Sequence, residues 1–262
     1  MLILGMGYTA SRLATRLRAE GWRITGVRRS ADAETLAFDD DSAVRAAIAQ
    51  ASHILSSVPP EAEADPVLTR YGAAIAAASA MWTGYLSSTG VYGDAAGAWV
   101  DESSATGSGR RAARAQADAD WGALRPDMRR FRLPGIYGPG RSALDRVREG
   151  RAHRIDLPDQ IFSRAHVDDI VAGVIASLHA GPPGIYNLSD DLPCAQNRLI
   201  EEACAILCQP VPPLLTLEEA QLSPMARSFY AENRRVANGR AKRLLGWAPR
   251  YPSYREGLRA CL

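Results

Sequence analysis

The sequence predicts an α/β fold, a doubly wound parallel sheet followed by a small C-terminal cap. Three observations predict it. Short continuous apolar runs such as Leu2-Ile3-Leu4 suit strands buried on both faces. Such runs alternate with segments of helical spacing, the order that builds a parallel sheet. After Gly138-Pro139-Gly140 this rhythm breaks, and from Leu192 onward Pro-rich turns and short helices dominate.

Each element follows in order. The strand at 2–4 leads through glycines into a helix over 10–20, with Leu13, Ala14 and Leu17 at helical spacing and Gly21 as its stop. A second strand is expected over 22–27 and a weak third at 36–38. The gap between them is short for a parallel crossover, so the usual helix must shrink to a turn. A helix over 42–49, a strand over 53–58 stopped by Pro59-Pro60, and an Ala-rich helix over 66–80 come next. Then follow a strand at 85–88, a Gly-rich loop to about Gly109, a helix over 110–125 and a strand over 128–133. A helix over 167–179 and a strand at 185–187 complete the alternating part. Residues 1–189 are therefore expected to form the sheet domain, with a loop-and-helix excursion near 141–162 into the cap. Residues 190–262 are expected to form a small substrate-binding region.

Composition narrows the function classes. With 262 residues, 47% apolar and 23% charged, the chain can fill a large core, which excludes collagen-like, coiled-coil and disordered chains. A formal charge of +2 gives no global field for nucleic acid or an anionic membrane, so neither partner is expected. No apolar stretch approaches the roughly 20 residues of a membrane helix. The N-terminal strand has no basic lead and runs straight into glycines, unlike a signal peptide. Cys194, Cys204, Cys208 and Cys261 lack metal-ligand spacing; buried thiols in a reducing cytoplasm are expected, and no metal.

Gly5-Met6-Gly7-Tyr8-Thr9-Ala10 sits between a strand and a helix, the context a dinucleotide fingerprint requires. Gly5 permits the tight turn, Gly7 lets backbone approach a pyrophosphate, and small Ala10 allows close helix–strand packing. The helix N-terminus adds free N–H groups and a positive dipole end. At the end of the second strand an acid would bond the ribose 2′-hydroxyl of NAD. The chain has Gly26-Val27-Arg28-Arg29 instead, with no acid until Asp32. Two guanidiniums suit a 2′-phosphate better than a diol, so NADP is expected, with NAD as second choice.

Four further segments carry a family resemblance. Leu86-Ser87-Ser88-Thr89-Gly90-Val91-Tyr92-Gly93-Asp94, Arg132-Leu133-Pro134-Gly135-Ile136-Tyr137-Gly138-Pro139-Gly140-Arg141, Phe162-Ser163-Arg164-Ala165-His166-Val167-Asp168-Asp169-Ile170 and Tyr186-Asn187-Leu188-Ser189-Asp190 resemble, in order and spacing, segments of the extended short-chain dehydrogenases/reductases. The tail around Arg235, Asn238, Trp247 and Tyr251 resembles the small YeeZ-like branch of atypical, epimerase/dehydratase-like members. The resemblance implies a Rossmann domain in which Gly5, Gly7, Tyr8, Thr9 and Ala10 hold the pyrophosphate, although Leu4 stands where the family's first glycine usually does. It implies that Asp39 or Asp40 lies near adenine, though either also suits capping of the helix near Ser42. Ser57, Val58 and Pro59 would run beside the ribose and nicotinamide. Ser88 matches the catalytic Ser/Thr. Tyr137, Arg141, Arg164 and Arg235 fall where small anionic substrates such as nucleotide sugars are gripped. His166 and Asp168 suit fixing a loop and capping a helix. A homodimer would pair the helices at 66–80 and 110–125.

One departure is central. The family's Tyr-x-x-x-Lys lowers a tyrosine pKa so that it exchanges a proton near neutrality. Alignment puts Ser108 and Ala112 at those positions. The only lysine is Lys242, with Asn238 four residues before it, so the motif exists nowhere in the chain. Three readings follow: an oxidoreductase or epimerase with another acid, a non-catalytic dinucleotide-binding sensor, or a scaffold without cofactor. Under the first, Tyr92 is the expected proton donor, with Tyr137 next and Arg110 or Arg111 lowering a phenol pKa.

Overall fold

The computed structural model describes residues 1–61, 64–107 and 112–262. Its central sheet holds β1 (Leu2–Leu4), β2 (Thr25–Arg28), β3 (Thr35–Ala37), β4 (His53–Ser56), β5 (Trp82–Ser88), β6 (Met128–Leu133) and β7 (Gly184–Asn187). The strands lie in the order β7-β6-β5-β4-β1-β2-β3, and every neighbouring pair is parallel. The direction of winding therefore reverses between β1 and β4. A reversal opens a crevice at the carboxyl ends of the two strands, where ligands of doubly wound sheets bind.

The described helices are α1 (Tyr8–Ala19), α2 (Asp41–Gln50), α3 (Pro66–Ala77), α4 (Ala112–Leu124), α5 (Ala143–Arg148), α6 (Val167–His179), α7 (Gln196–Leu207), α8 (Pro224–Ser228), α9 (Gly239–Leu245) and α10 (Tyr254–Arg259), of which α1 to α4 and α6 cover the two faces of the sheet. Side-chain alternation along β1 divides the core. Leu2 and Leu4 join Val44, Ile48, Tyr71 and Trp121 on the α2–α3–α4 face. Ile3 joins Leu13, Leu17, Ile170 and Val174 on the α1–α6 face.

The short crossover between β2 and β3 is a turn at 29–34, closed by a bridge between Asp32 and Thr35. The second strand begins at Thr25 rather than at residue 22. Trp22 still belongs to the helix end, donating its N–H to the Leu17 carbonyl at 3.0 Å and turning its ring edge-on to His53. The helix expected over 66–80 ends at Ala77, because the Arg125 guanidinium takes the carbonyls of Ile75, Ala78 and Ala80. The strand at 128–133 and the helix at 167–179 occur over the residues expected.

The chain after Asp190 divides among three cores, Val236 packing with Val91, Tyr92 and Val100. α7 and α10 pack with α5 around Leu144, Leu199, Ile200 and Leu258. α9 instead lies on α6, placing Ala241, Leu245 and Trp247 in the core that holds Ile3 and Phe131. Asp169 of α6 secures that stretch: its carbonyl accepts from Trp247 Nε1, and its carboxylate from the N–H groups of Arg250 and Tyr251. Cys194, Cys204 and Cys261 are buried as expected, but Cys208 is exposed. It ends α7 in a left-handed conformation (φ +52°), which turns its side chain off the apolar face that Cys204 occupies. None of the described helices is long and apolar enough to cross a membrane.

Candidate cofactor and catalytic site

The β1–α1 turn stands at the switch point. Gly5 adopts φ +91°, and a Cβ there would meet Val58 Cγ2 at 2.7 Å and the Val58 nitrogen at 3.0 Å. Glycine is thus required both by the turn and by the Ser57-Val58 backbone running beside it. Ser57 is held there by donating its N–H to the Leu4 carbonyl at 2.8 Å, while Pro59 beyond it is exposed. Gly7 is different. It is the N-cap of α1 with an ordinary φ of −86°, and a Cβ on it would meet nothing within 4 Å. No side chain caps α1 and its first turn carries no acid, so the leading N–H groups face this open space without a protein acceptor. Ala10 is fully buried beside Ile3 and Leu13, and Thr9 is buried with it. Tyr8 reaches across the turn and donates to the Pro139 carbonyl at 3.0 Å. The guanidiniums of Arg12 and Arg141 lie over its ring at 5.4 and 5.7 Å. The loop carrying Arg141 therefore closes onto the glycine turn.

At the end of β2 Arg28 and Arg29 are both exposed. Arg28 Nη2 donates to the Met6 carbonyl of the glycine turn at 3.2 Å, and Nη1 to Asp32 Oδ2 at 3.2 Å. Of the two acids expected near adenine, Asp40 caps α2, accepting from the Ala43 N–H at 3.0 Å. Asp39 is exposed and its carbonyl accepts from Arg70.

Ser88 ends β5, half-buried, and its Oγ accepts the Gly90 N–H at 3.1 Å, which leaves the hydroxyl proton free to donate. Beneath it lies a polar network that sequence reasoning missed. Ser87 donates to Asp118 Oδ1 at 2.6 Å, and the same buried carboxylate accepts from Arg132 Nε and Nη2 and from Arg130 Nη1. Only the pairing of α4 with β6 brings these groups together, so no local spacing announced it.

Tyr92 corrects an expectation. A single 3-10 turn over Thr89–Tyr92 sends its phenol inward, where it donates to Asn187 Oδ1 of β7 at 2.7 Å. Arg132 lies over the ring at 4.9 Å, yet burial outweighs that charge and raises the phenol above its ordinary pKa. Guanidinium charge was expected to lower it. Tyr92 is thus a buried tyrosine with its proton committed, poorly suited to serve as the acid. Arg110 and Arg111, the other expected influence, lie outside the described residues, as does Ser108; Ala112 opens α4.

Two of the four expected substrate residues are also turned inward. Arg164 is buried, its Nη1 donating to the Phe162 and Cys194 carbonyls and to Cys194 Sγ, its Nη2 to Gln196. Those bonds tie its strand to the cap and leave the guanidinium little to offer a ligand. Tyr137 is buried edge-on to His166 with its hydroxyl lacking a partner, and burial raises its pKa. Arg141 stays exposed, and Arg235 is half-buried with Nη1 on the Gly97 carbonyl. His166 caps α6, its Nδ1 accepting the Asp168 N–H, while Asp168 pairs with Arg12 at 3.0 Å. Asp190 is a second missed feature. Its carboxylate is buried without a side-chain hydrogen-bond partner, and burial pushes its pKa up to about 8.

No family model matches the chain. Among solved structures, a functionally unknown conserved protein from Silicibacter pomeroyi is 40% identical, with a TM-score of 0.91 over 99% of this chain and 96% of that one. The two belong to one family. The human epimerase family protein SDR39U1, solved with NADPH, superposes with a TM-score of 0.79 at 17% identity, covering 99% of this chain and 98% of that one. MoeE5, solved with UDP-glucose and NAD, superposes at 0.76 with 19% identity, covering 99% and 96%. The fold is that of an atypical extended short-chain dehydrogenase/reductase. Among curated proteins, a 142-residue stretch is 30% identical to 3-diazoavenalumate denitrifying reductase of Streptomyces sp.. That match spans 49% of this chain and only 45% of the reductase. Lys242 is the one lysine of the chain. It stands on α9 and its Nζ donates to Asp191 Oδ1 at 2.6 Å.

Proposed function

We propose that the chain binds NADP(H) at the β1–α1 turn and acts as an atypical oxidoreductase or epimerase on a small polar substrate of nucleotide-sugar type. One observation carries the reading. At the switch point of the sheet, an uncapped helix N-terminus without acids opens through Gly7 onto free space, which is what a pyrophosphate needs. Arg28 beside it, and no acid at the strand end, favour a 2′-phosphate over a diol. The bound nucleotide would supply hydride chemistry. Backbone N–H groups of α1 would hold its phosphates, and the Ser88 hydroxyl would donate to the reacting oxygen of a substrate. Arg141 and Arg235 are the cations left to meet an anionic group of that substrate.

A second reading, a dinucleotide-binding sensor without turnover, draws on a specific feature. Tyr92, four residues beyond Ser88, is buried and bonded to Asn187, and the one lysine of the chain, Lys242, is bonded to Asp191. Calorimetric titration with NADPH and NADH tests cofactor binding. NADPH consumption over a panel of carbonyl compounds and nucleotide sugars tests turnover. Ser88→Ala is expected to lower turnover about 10- to 1000-fold while leaving NADPH affinity within about twofold, the loss of one transition-state donor. If Ser108→Tyr with Ala112→Lys gains activity on a panel where the wild type has none, the sensor reading replaces the enzyme.

A further inference from the structure

Beside the glycine turn, the β2–β3 turn and the outer face of α1 enclose a groove of about 320 Å³ lined by Met6, Ser11, Thr15, Arg18, Arg28 and the residues of the turn. Two guanidiniums enter it, and each already faces a carboxylate of the 32–35 turn. Arg28 Nη1 lies 3.2 Å from Asp32 Oδ2, and Arg18 Nη1 lies 3.5 Å from Glu34 Oε2. Arg28 is pinned at its other nitrogen to the Met6 carbonyl, so the guanidinium stands next to the turn that would hold a pyrophosphate. The two oxygens of Asp32 do different things. Oδ1 holds the turn, accepting the Glu34 N–H at 2.9 Å and the Thr35 hydroxyl at 2.8 Å. Oδ2 is given to Arg28 alone.

We propose that Asp32 is a built-in competitor for the 2′-phosphate of NADP(H): its Oδ2 occupies Arg28 in the free protein and sets how strongly NADPH is preferred over NADH. The inference rests on the dinucleotide reading above. An exposed ion pair four residues apart on one short segment is weak and readily exchanged. A phosphate dianion offers the same guanidinium a stronger, charge-assisted partner. It must nevertheless displace one carboxylate and sit near another on Glu34, so the selectivity of the free groove is blunted. NADH, lacking the phosphate, leaves the Asp32–Arg28 pair in place.

Asp32→Asn tests this with little disturbance, because the amide keeps the oxygen that holds the turn and replaces only the one on Arg28. Calorimetric titration of the wild type, Asp32→Asn, Arg28→Ala and the double variant with NADPH and NADH gives the full cycle. The expected result is an NADPH Kd lowered about three- to tenfold in Asp32→Asn, an NADH Kd within about twofold, and no effect of Asp32→Asn on NADPH once Arg28 is alanine. Loss of NADH affinity in Asp32→Asn would show the carboxylate reading a ribose diol and overturn the proposal. Equal changes for both nucleotides would reduce Asp32 to a turn residue and overturn it also. If the wild type prefers neither nucleotide and Asp32→Asn creates a preference for NADPH, the NADP choice fails while the competitor role stands. If the wild type binds neither, both fall.

Discussion

The two sides of the switch point treat polar groups in opposite ways. On the β1–α1 side, the donors of the first helical turn are left without protein partners, and Gly7 keeps the space before them clear. On the β5–β6–β7 side, polar groups are turned inward and joined, Ser87 to Asp118, Asp118 to Arg130 and Arg132, and Tyr92 to Asn187. The first side is arranged to receive something from solvent. The second is arranged to hold a strand end still. Open donors mark a ligand site more surely than a cluster of chemically able side chains, because buried and paired groups have already spent their hydrogen bonds.

The largest effect is expected at the open side. Gly7→Val should weaken both dinucleotides by more than about 100-fold, since its side chain fills the approach to the N–H groups. The melting temperature should stay within a few degrees, because the added Cβ meets nothing within 4 Å beyond its own chain neighbours. Retained affinity in a calorimetric titration would erase the contrast. On the closed side, Asp118→Ala strands two guanidiniums, one fully buried, and should cost roughly 3–5 kcal/mol in denaturant unfolding, with Asp118→Asn costing less. A loss under about 1 kcal/mol would mean that the network does not hold the strand end.

A pH-dependent effect belongs to Asp190, the buried carboxyl of the closed side that has no side-chain hydrogen-bond partner. Burial pushes its pKa up to about 8 when folded, with Arg164 and the Leu192 N–H opposing and Asp191 and Asp169 adding to the rise. The folded state therefore holds this proton more tightly than the unfolded chain. Its contribution to stability is fullest below about pH 4 and is lost as pH rises towards 8. Asp190→Asn removes that dependence, so the variant should gain on the wild type across this window by at most about 1.4 kcal/mol per pH unit. Parallel stability profiles for the two proteins would show the carboxyl to be solvated.

Much of the fold was legible in the sequence because it is written locally. Leu2-Ile3-Leu4, the run Met128–Leu133 and the helix Val167–His179 carry their own periodicity and punctuation. The short pairs were not legible, such as Trp99–Val100 with Arg235–Val236, because each is defined by a partner far along the chain. The site divides the same way. Glycines announce a backbone shape, so the β1–α1 turn could be read residue by residue. Whether an arginine is free could not, since Arg164 is consumed by Cys194 and Gln196, and Arg28 is shared with Asp32. Tyr92 was misjudged for a related reason: its charge neighbour was foreseen in kind, but the burial that outweighs it comes from β7 and the packing around Val91, Val100 and Val236.

The return of α9 to the sheet has a consequence for how the chain acquires its structure. Ile3 and Phe131 share their core with Ala241, Leu245 and Trp247, so a ribosome that has released the whole Rossmann alternation still presents a sheet with part of one face uncovered. Such a nascent chain carries apolar surface until residue 247 has emerged, and closing that contact spans almost the full sequence. Contacts of that reach slow folding and expose intermediates to association. Elements late in this sequence are needed to finish covering elements near its start.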